Sequence, residues 1–505
     1  MTRGTVAWLV LILTTAVTSA SAENNFSVAP AHIVLNDIEF LRSGIPMTEW
    51  MAMFYNHPSE EGVDTVEAED SDGVRPAPEY VPAEEFSPDQ NRRVILGPMV
   101  GENILVNDRQ LCGGRGNTQS ETSIAANGDV IVVAWNESKG FYCTNHSTVG
   151  WGYSLDGGAT FTDGGTLPGG LSRWSNGDPA LAIGPDGSFY VSGISSNFNG
   201  MSISRGVAGP DGVAWNTPVE AVSRGGLIDK EWLAVDQATG RVYMAYGRSQ
   251  QIEVIHSDDQ GATWNSTTPA RLGGGGIGAN PLIGPNGEVY VAWNIGWPSA
   301  SQRIVMARSE DGGGTFTSPV TIANLCAFTV PGFSRGQVPA FPSVAIDLSG
   351  GPQNGRLYVA WHSSCPSGNG DAYLSSSDDQ GQTWSEPIVV NDDGATALQW
   401  SPSVSVDSSG NVNVVFYDRR ENPGTGITNV YLAQSTDGGM TFLPNIRITD
   451  VASNWSSARS DISPNMGDYL TAISVGTDVL VSWSDARDGD PDAYFTRISP
   501  TASPK

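Results

Sequence analysis

The stretch "STDGGMTF", Ser435–Phe442, recurs as "SLDGGATF" from Ser154, "SDDQGATW" from Ser257, "SEDGGGTF" from Ser309 and "SDDQGQTW" from Ser377. Its residue types describe a turn. The Asp carboxylate, at Asp156, Asp259, Asp311, Asp379 or Asp437, accepts backbone N–H bonds across a tight reversal. The glycine allows positive φ, and the threonine adds a second local bond and β propensity. The closing aromatic, Phe161, Trp264, Phe316, Trp384 or Phe442, is expected to tuck under the turn and seal the blade. Every position has a folding task, so the copies count structural units rather than active sites.

Working outward, each copy closes a longer repeat. Units start at "ETSIAANGDVIVVAW" (Glu121), "DPALAIGPDGSFYVSG" (Asp178), "KEWLAVDQATGRVYMAY" (Lys230), "NPLIGPNGEVYVAW" (Asn280), "FPSVAIDLSGGPQNGRLYVAW" (Phe341), "SPSVSVDSSGNVNVVFY" (Ser401) and "DYLTAISVGTDVLVSW" (Asp468). A period of roughly 50–60 residues with Gly-containing hairpin turns is that of four-stranded propeller blades. The unit at Asp178 lacks the motif, and "SRGVAGPDGVAW" reads as a stretched copy keeping Ser204, Asp211, Gly212 and Trp215. The last unit has no room for an outer strand. "ENILVND", Glu102–Asp108, resembles "EPIVVND", Glu386–Asp392, so the N-terminal strand is expected to complete the last blade. The fold expected is all-β, a seven-bladed β-propeller, with a six-bladed ring plus an extra unit as the alternative.

The rest of the chain frames this domain. Residues 1–22 read as a signal peptide: Arg3, the apolar run "VAWLVLILTTAV" and the small residues Ala20-Ser21-Ala22. Residues 23–100 form an extension and acidic linker, 101–498 the propeller and 499–505 a tail. The expected location is extracellular, with the periplasm as the alternative. Of 505 residues only 16% are charged, against 60 Gly and 31 Pro, which suits short strands and tight turns. A net charge of -28 repels nucleic acid and anionic lipid, and no later segment is apolar enough to span a bilayer. A monomer acting on a glycan is the expected state. In an exported chain the four cysteines favour disulfides. Cys112 and Cys143 hold the same two positions in blade 1 that Cys326 and Cys365 hold in blade 5. The pairs Cys112–Cys143 and Cys326–Cys365 are therefore expected, each stabilising by about 2–4 kcal/mol.

The pattern Ser-x-Asp-x-Gly-x-Thr-Phe/Trp is the Asp-box, or BNR repeat, and over residues 101–498 the chain resembles the sialidase-like superfamily of Asp-box propellers. "QSETSIAANG", "DKEWLAVD" and "WSDARDGDPDAYFTRI" are similar to secreted bacterial proteins of the sialidase or BNR-repeat type. The resemblance implies that the boxes lie on the face opposite the active site. It also implies a Tyr–Glu nucleophile pair, an Asp acid and three arginines on a substrate carboxylate. Tyr469 with Glu231 or Glu121 fits the pair, and Arg335, Arg420 and Arg487 fit the arginines. The chain departs from true sialidases in lacking Arg-Ile-Pro and in having seven units.

Residue chemistry points to the same face. Its loops carry Glu121, Asp229, Glu231, Tyr469, Arg335, Arg420, Arg487, Trp400 and His362. Glu231, Tyr469, Asp229 and Glu121 are the catalytic candidates, as carboxylate acid and base on a glycosidic bond. Arg335, Arg420, Arg487, Trp400 and His362 are the substrate-binding candidates. Against these stands a structural reading in which Asp418 and Asp485 staple loops to their neighbouring arginines, and Asp229-Lys230-Glu231 is a charge network. A glycoside hydrolase is the leading expectation. A non-catalytic glycan- or protein-binding propeller and a polysaccharide lyase using His146 or His362 with Tyr469 are the alternatives. No cofactor and no metal are expected; Asp-rich loops offer Ca²⁺ oxygen ligands without an ordered spacing.

Overall fold

The computed structural model describes residues 98–109, 117–140, 142, 147–169, 177–195, 198–299, 301–394 and 397–500. Residues 1–22, read as a signal peptide, residues 23–97 of the expected linker, Cys112, Cys143 and His146 lie outside the described residues. Residues 99 and 100, assigned to the linker, form a strand of the last blade, so the propeller starts slightly before 101. Among the described residues no helix is long and apolar enough to cross a membrane.

Seven antiparallel sheets form the blades. Blade 1 comprises Gln119–Asn127, Val130–Glu137, Val149–Ser154 and Thr162–Thr166. The innermost strands of blades 2 to 7 are Ala180–Ile183, Ile228–Val235, Gly276–Ile283, Ser343–Ile346, Gln399–Val406 and Thr471–Val475. Blade 7 is closed by the chain's own start: Met99–Val100 and Ile104–Leu105 pair with Asp492–Ser499, in register Met99↔Ser499 and Ile104↔Phe495. The protein is a seven-bladed β-propeller, and the six-bladed alternative falls.

The core lies in the seams. Each second strand is buried on both faces, so its period-2 alternation feeds two seams at once. In Val130–Glu137, Val132 and Ala134 pack toward blade 2, while Ile131, Val133 and Trp135 pack toward blade 7. Seven apolar clusters result, one per pair of adjacent blades.

The motif turns join third and fourth strands. In Ser435–Phe442 the Ser435 hydroxyl donates to Asp437 Oδ1 at 2.7 Å and accepts from Gly439 N at 2.9 Å. Asp437 accepts from Thr441 N at 2.9 Å and Thr441 Oγ1 at 2.6 Å. The same bonds recur at Asp156, Asp259, Asp311 and Asp379. The aromatic tucks under its own turn, as where Trp264 Nε1 donates to Gly261 O at 3.1 Å, and it also packs into the seam to the preceding blade, which the sequence did not suggest. Phe161 of blade 1 packs on Phe495 of blade 7 at 4.9 Å, and Phe442 of blade 6 joins the cluster around Tyr358 of blade 5. An arginine of the preceding blade returns the contact: Arg497, Arg241 and Arg356 donate to the carbonyls of Gly157, Gly312 and Gly438 at 2.9–3.0 Å.

Blade 2 corrects the expectation of a stretched copy. Gly200–Gly209 and Gly212–Trp215 form a hairpin, and Ser204 Oγ donates to Asn216 O at 2.7 Å. Trp215 still reaches the preceding blade, edge-on to Trp151 at 5.5 Å. Cys326 and Cys365 are bonded, with Cα atoms 5.4 Å apart, tying the last strand of blade 4 to a loop of blade 5. The partner pair at Cys112 and Cys143 falls on residues not described.

Candidate functional site at the channel mouth

The innermost strands start at the end of the ring opposite the motif turns. There the strand registers define one equivalent position per blade. It lies two residues before Ser123, Ala180, Trp232, Asn280, Ser343, Ser403 and Thr471, which pair with Ala134, Ser192, Ala245, Ala292, Ala360, Val415 and Ser482. The seven residues so placed are Glu121, Asp178, Lys230, Gly278, Phe341, Ser401 and Tyr469. In blades 1, 3, 4 and 6 the register slips at this point, and Glu121, Lys230, Gly278 and Ser401 sit at φ 54, 52, 69 and 48. Asp178 has φ 56. A left-handed non-glycine costs about 1 kcal/mol or more and persists only where its surroundings over-determine it. Such a bulge re-aims a side chain out of the sheet alternation.

Three re-aimed side chains meet. Lys230 Nζ lies 2.6 Å from Asp178, 2.9 Å from Asp468 and 3.1 Å from Glu121, so carboxylates from blades 2, 7 and 1 converge on an ammonium from blade 3. Asp468 N also donates to Glu121 Oε1 at 3.1 Å. Arg335, from the loop between blades 4 and 5, reaches across to Asp468 at 2.7 Å. That loop is fixed by Ser334 N donating to Asn465 Oδ1 at 2.9 Å and by Asn465 Nδ2 donating to Gly332 O at 2.7 Å. Among the described residues no three His, Cys, Asp or Glu side chains are grouped to hold a metal ion; Lys230 fills the point where these carboxylates converge.

Burial sets the charge states. It pushes Glu121 well above the usual carboxylate range, and the neighbouring Asp178 adds to this. Burial also raises Asp178, but the Lys230 ammonium overcomes it and holds Asp178 below its ordinary value. Asp229 is pushed up to about 7 by burial. Glu231 is 2% exposed, and neither carboxyl oxygen makes a hydrogen bond of normal geometry. Burial and then the Asp178 charge raise it well above the usual range. Tyr469 is raised by burial and by Glu121, and its hydroxyl donates to Pro179 O at 3.2 Å.

Aromatic rings wall this cluster. Tyr469 lies 5.2 Å from Trp232, Trp232 lies 6.0 Å from Phe341, and Phe341 lies 6.4 Å from Trp297. Below them runs a channel of about 370 Å³ lined by Trp232, Phe341, Ser343, Ser401, Ser403, Tyr469 and Thr471.

The four catalytic candidates, Glu121, Asp229, Glu231 and Tyr469, come together here, and Arg335 joins them. The other substrate-binding candidates do not. Arg420 is bound to Asp418 at 2.7 Å and to Asp392, with its guanidinium 4.2 Å over Tyr431. Arg487 is bound to Asp485 at 2.8 Å and to Asp450, 4.2 Å over Tyr494. These are the loop staples of the structural reading. Trp400 is fully buried, sandwiched by Arg419 and Tyr417, and has no ring face to offer a sugar. His362 is not a solvated loop histidine. Its Nδ1 accepts from Ser401 N at 3.2 Å, which leaves Nε2 to donate to Val338 O at 3.3 Å, and burial lowers it to about 4. Asp178, Lys230 and Asp468 were visible as residues of this face but not as one cluster. The signal that unites them is the blade alignment, which puts Glu121, Asp178 and Lys230 at one position.

No protein-family model and no curated protein matches the chain. Among solved structures it is similar to a protein of unknown function from Dyadobacter fermentans, at 14% identity over 80% of this chain and 99% of that one, TM-score 0.46. It is similar to an ulvan lyase at 12% identity over 75% and 93%, TM-score 0.48. A Hadza microbial sialidase shares 13% identity over 73% and 76%, TM-score 0.41.

Proposed function

We propose that this chain is an exported glycan-processing propeller, a glycoside hydrolase of unassigned sugar, acting at the channel mouth. One observation carries the reading: two neighbouring carboxyls are set to opposite protonation states. Glu231, buried and raised well above the usual carboxylate range, keeps its proton, while Asp178 beside Lys230 stays ionised. Carboxyls pushed apart in this way are the acid and base of glycosidic cleavage. Glu231 gives its proton to the leaving oxygen, water adds to the anomeric carbon, and the ionised carboxylate takes the water's proton. Tyr469, held neutral and hydrogen-bonded, is a wall of the site in this scheme rather than its nucleophile.

A second reading, a glycan-binding propeller without turnover, is favoured by the closure of the Lys230 network, in which Asp178, Asp468 and Glu121 already have a counter-charge. The lyase reading needs a histidine base beside Tyr469; both ring nitrogens of His362 are already engaged, and His146 lies outside the described residues.

The test is release of reducing ends from a glycan panel by wild type, Glu231→Gln and Asp178→Asn. Loss of turnover by about 100-fold or more in Glu231→Gln, with binding retained, is expected. The wild-type rate should fall as pH rises through the elevated Glu231 value and again as acid protonates Asp178. Binding without turnover by wild type would establish the second reading. Turnover unaffected in both variants would remove these residues from catalysis.

A further inference from the structure

We propose that the mouth selects neutral sugar rings and rejects anionic ones; this rests on the reading of the mouth as a glycan site and names its substrate class. The sialidase-type expectation places an arginine clamp on a substrate carboxylate, and the geometry argues the reverse. The mouth cluster holds two cations, Lys230 and Arg335, among five carboxyl groups, Glu121, Asp178, Asp229, Glu231 and Asp468. Burial raises Glu121 and Glu231 well above the usual carboxylate range, so what bars an anion is the engagement of both cations. Both cations are already bound. Lys230 has three carboxylates within 2.6–3.1 Å, and Arg335 donates to Asp468 at 2.7 Å and to Ser463 O at 3.4 Å. An incoming carboxylate or sulfate would have to break one of these pairs. That would leave a buried acid without its counter-charge, which strongly disfavours the exchange. Arg420 and Arg487 are each tied to an acid of their own blade, Asp418 and Asp485, and to one that follows the last strand of the preceding blade, Asp392 and Asp450. A net charge of -28 adds repulsion at longer range.

What the mouth does offer suits an uncharged ring. Trp232, Trp297 and Tyr469 are half-buried aromatics that present apolar faces to sugar C–H groups. The buried Trp297 indole N–H has no hydrogen-bond partner, and the Glu231 carboxyl oxygens make none of normal geometry. Below lies a channel of about 370 Å³, within the range of small-molecule sites, lined in part by Ser343, Ser401 and Ser403, whose hydroxyls bond Val404 N, Asp468 O and Ala472 N.

The experiment is a matched-pair binding measurement. Oligogalacturonate and oligoglucuronate are each compared with their carboxyl-reduced, neutral counterparts by calorimetry at low and physiological salt. Wild type should bind at least one neutral member roughly tenfold or more tighter than its acidic partner, with the gap shrinking as salt rises. Asp468→Asn, which removes one acid and releases Arg335, should narrow the gap; Glu231→Gln should not reverse it. Equal or tighter binding of the acidic members overturns the proposal, as does failure to bind either neutral member. Binding is read without turnover, so an inactive protein that prefers neutral glycans sinks the hydrolase reading and leaves this one standing.

Discussion

In two of the five motif turns a glutamine stands where the others have glycine. Gln260 and Gln380 have φ 61 and 62, close to the 74, 71 and 77 of Gly157, Gly312 and Gly438. The backbone conformation is therefore imposed by the turn, and glutamine bears its strain. Left-handed φ costs a non-glycine about 1–2 kcal/mol, and glycine returns about 0.5–1 kcal/mol of that through its looser unfolded chain. Gln260→Gly should stabilise the protein by up to about 1 kcal/mol, read as a higher urea midpoint at unchanged slope; an equal or lower midpoint would mean that the turn is not strained there. The same φ at Glu121, Asp178, Lys230 and Ser401 had no local signal in the sequence. Acid, base and hydroxyl types do not announce a left-handed position. Only the alignment of seven units by their second strands brings these residues into one layer.

At the scale of the element, a motif turn belongs to two blades. Asp437 holds Ser435, Met440 and Thr441, and Gly438 O accepts from Tyr358 at 3.2 Å and Arg356 at 3.0 Å of the preceding blade. The Thr441 hydroxyl is the first cause of Asp437's depressed value of about 2, so its carboxylate stays ionised down to strongly acid pH. Asp437→Ala leaves two backbone N–H groups and two hydroxyls, of Ser435 and Thr441, to water and should cost about 1–2 kcal/mol. Combined with Tyr358→Phe in a double-mutant cycle, it should show coupling of about 0.5 kcal/mol or more. Strict additivity would mean that turn and seam are independent. The hydrogen bonding within the turn was legible from Ser, Asp, Gly and Thr alone. The seam was not, because nothing in "STDGGMTF" says that Phe442 packs on the apolar cluster that includes Tyr358 of the preceding unit. The hairpin that replaces the motif in blade 2 was hidden for a related reason: "AGPDGVAW" keeps the residue types of the turn while its pairing, Val213↔Ala208, makes a strand.

At the scale of the whole molecule, the ring depends on a few residues from its start. Gly101 N donates to Arg497 O at 2.8 Å, Val106 N donates to Ala493 O at 2.9 Å, and Ala493 N donates to Asn107 Oδ1 at 2.7 Å. Val106 is buried with Trp135 and Phe495 in the seam between blades 7 and 1. Deleting residues 98–108 removes these bonds and the burial of Ile104, Leu105 and Val106, a loss of roughly 5–10 kcal/mol. The expected outcome is a much lower denaturation midpoint, partly restored by a peptide of the deleted sequence; an unchanged midpoint would show that the closing strand is ornamental. This closure was readable in advance because "ENILVND" repeats the fourth-strand pattern of "EPIVVND".

The closure also dictates an order of assembly. Asn107 and Asp492 hydrogen-bond across 385 residues of chain, so the segment synthesised first among the blades is the one used last. Until then Asp492–Ser499 is an unpaired edge and the first and last blades are held only by their neighbours. Contacts this remote in sequence form slowly. In a concentrated population the waiting edge is a template for the same strand from another copy. A strand exchange of this kind would link copies through a surface that no mature monomer displays.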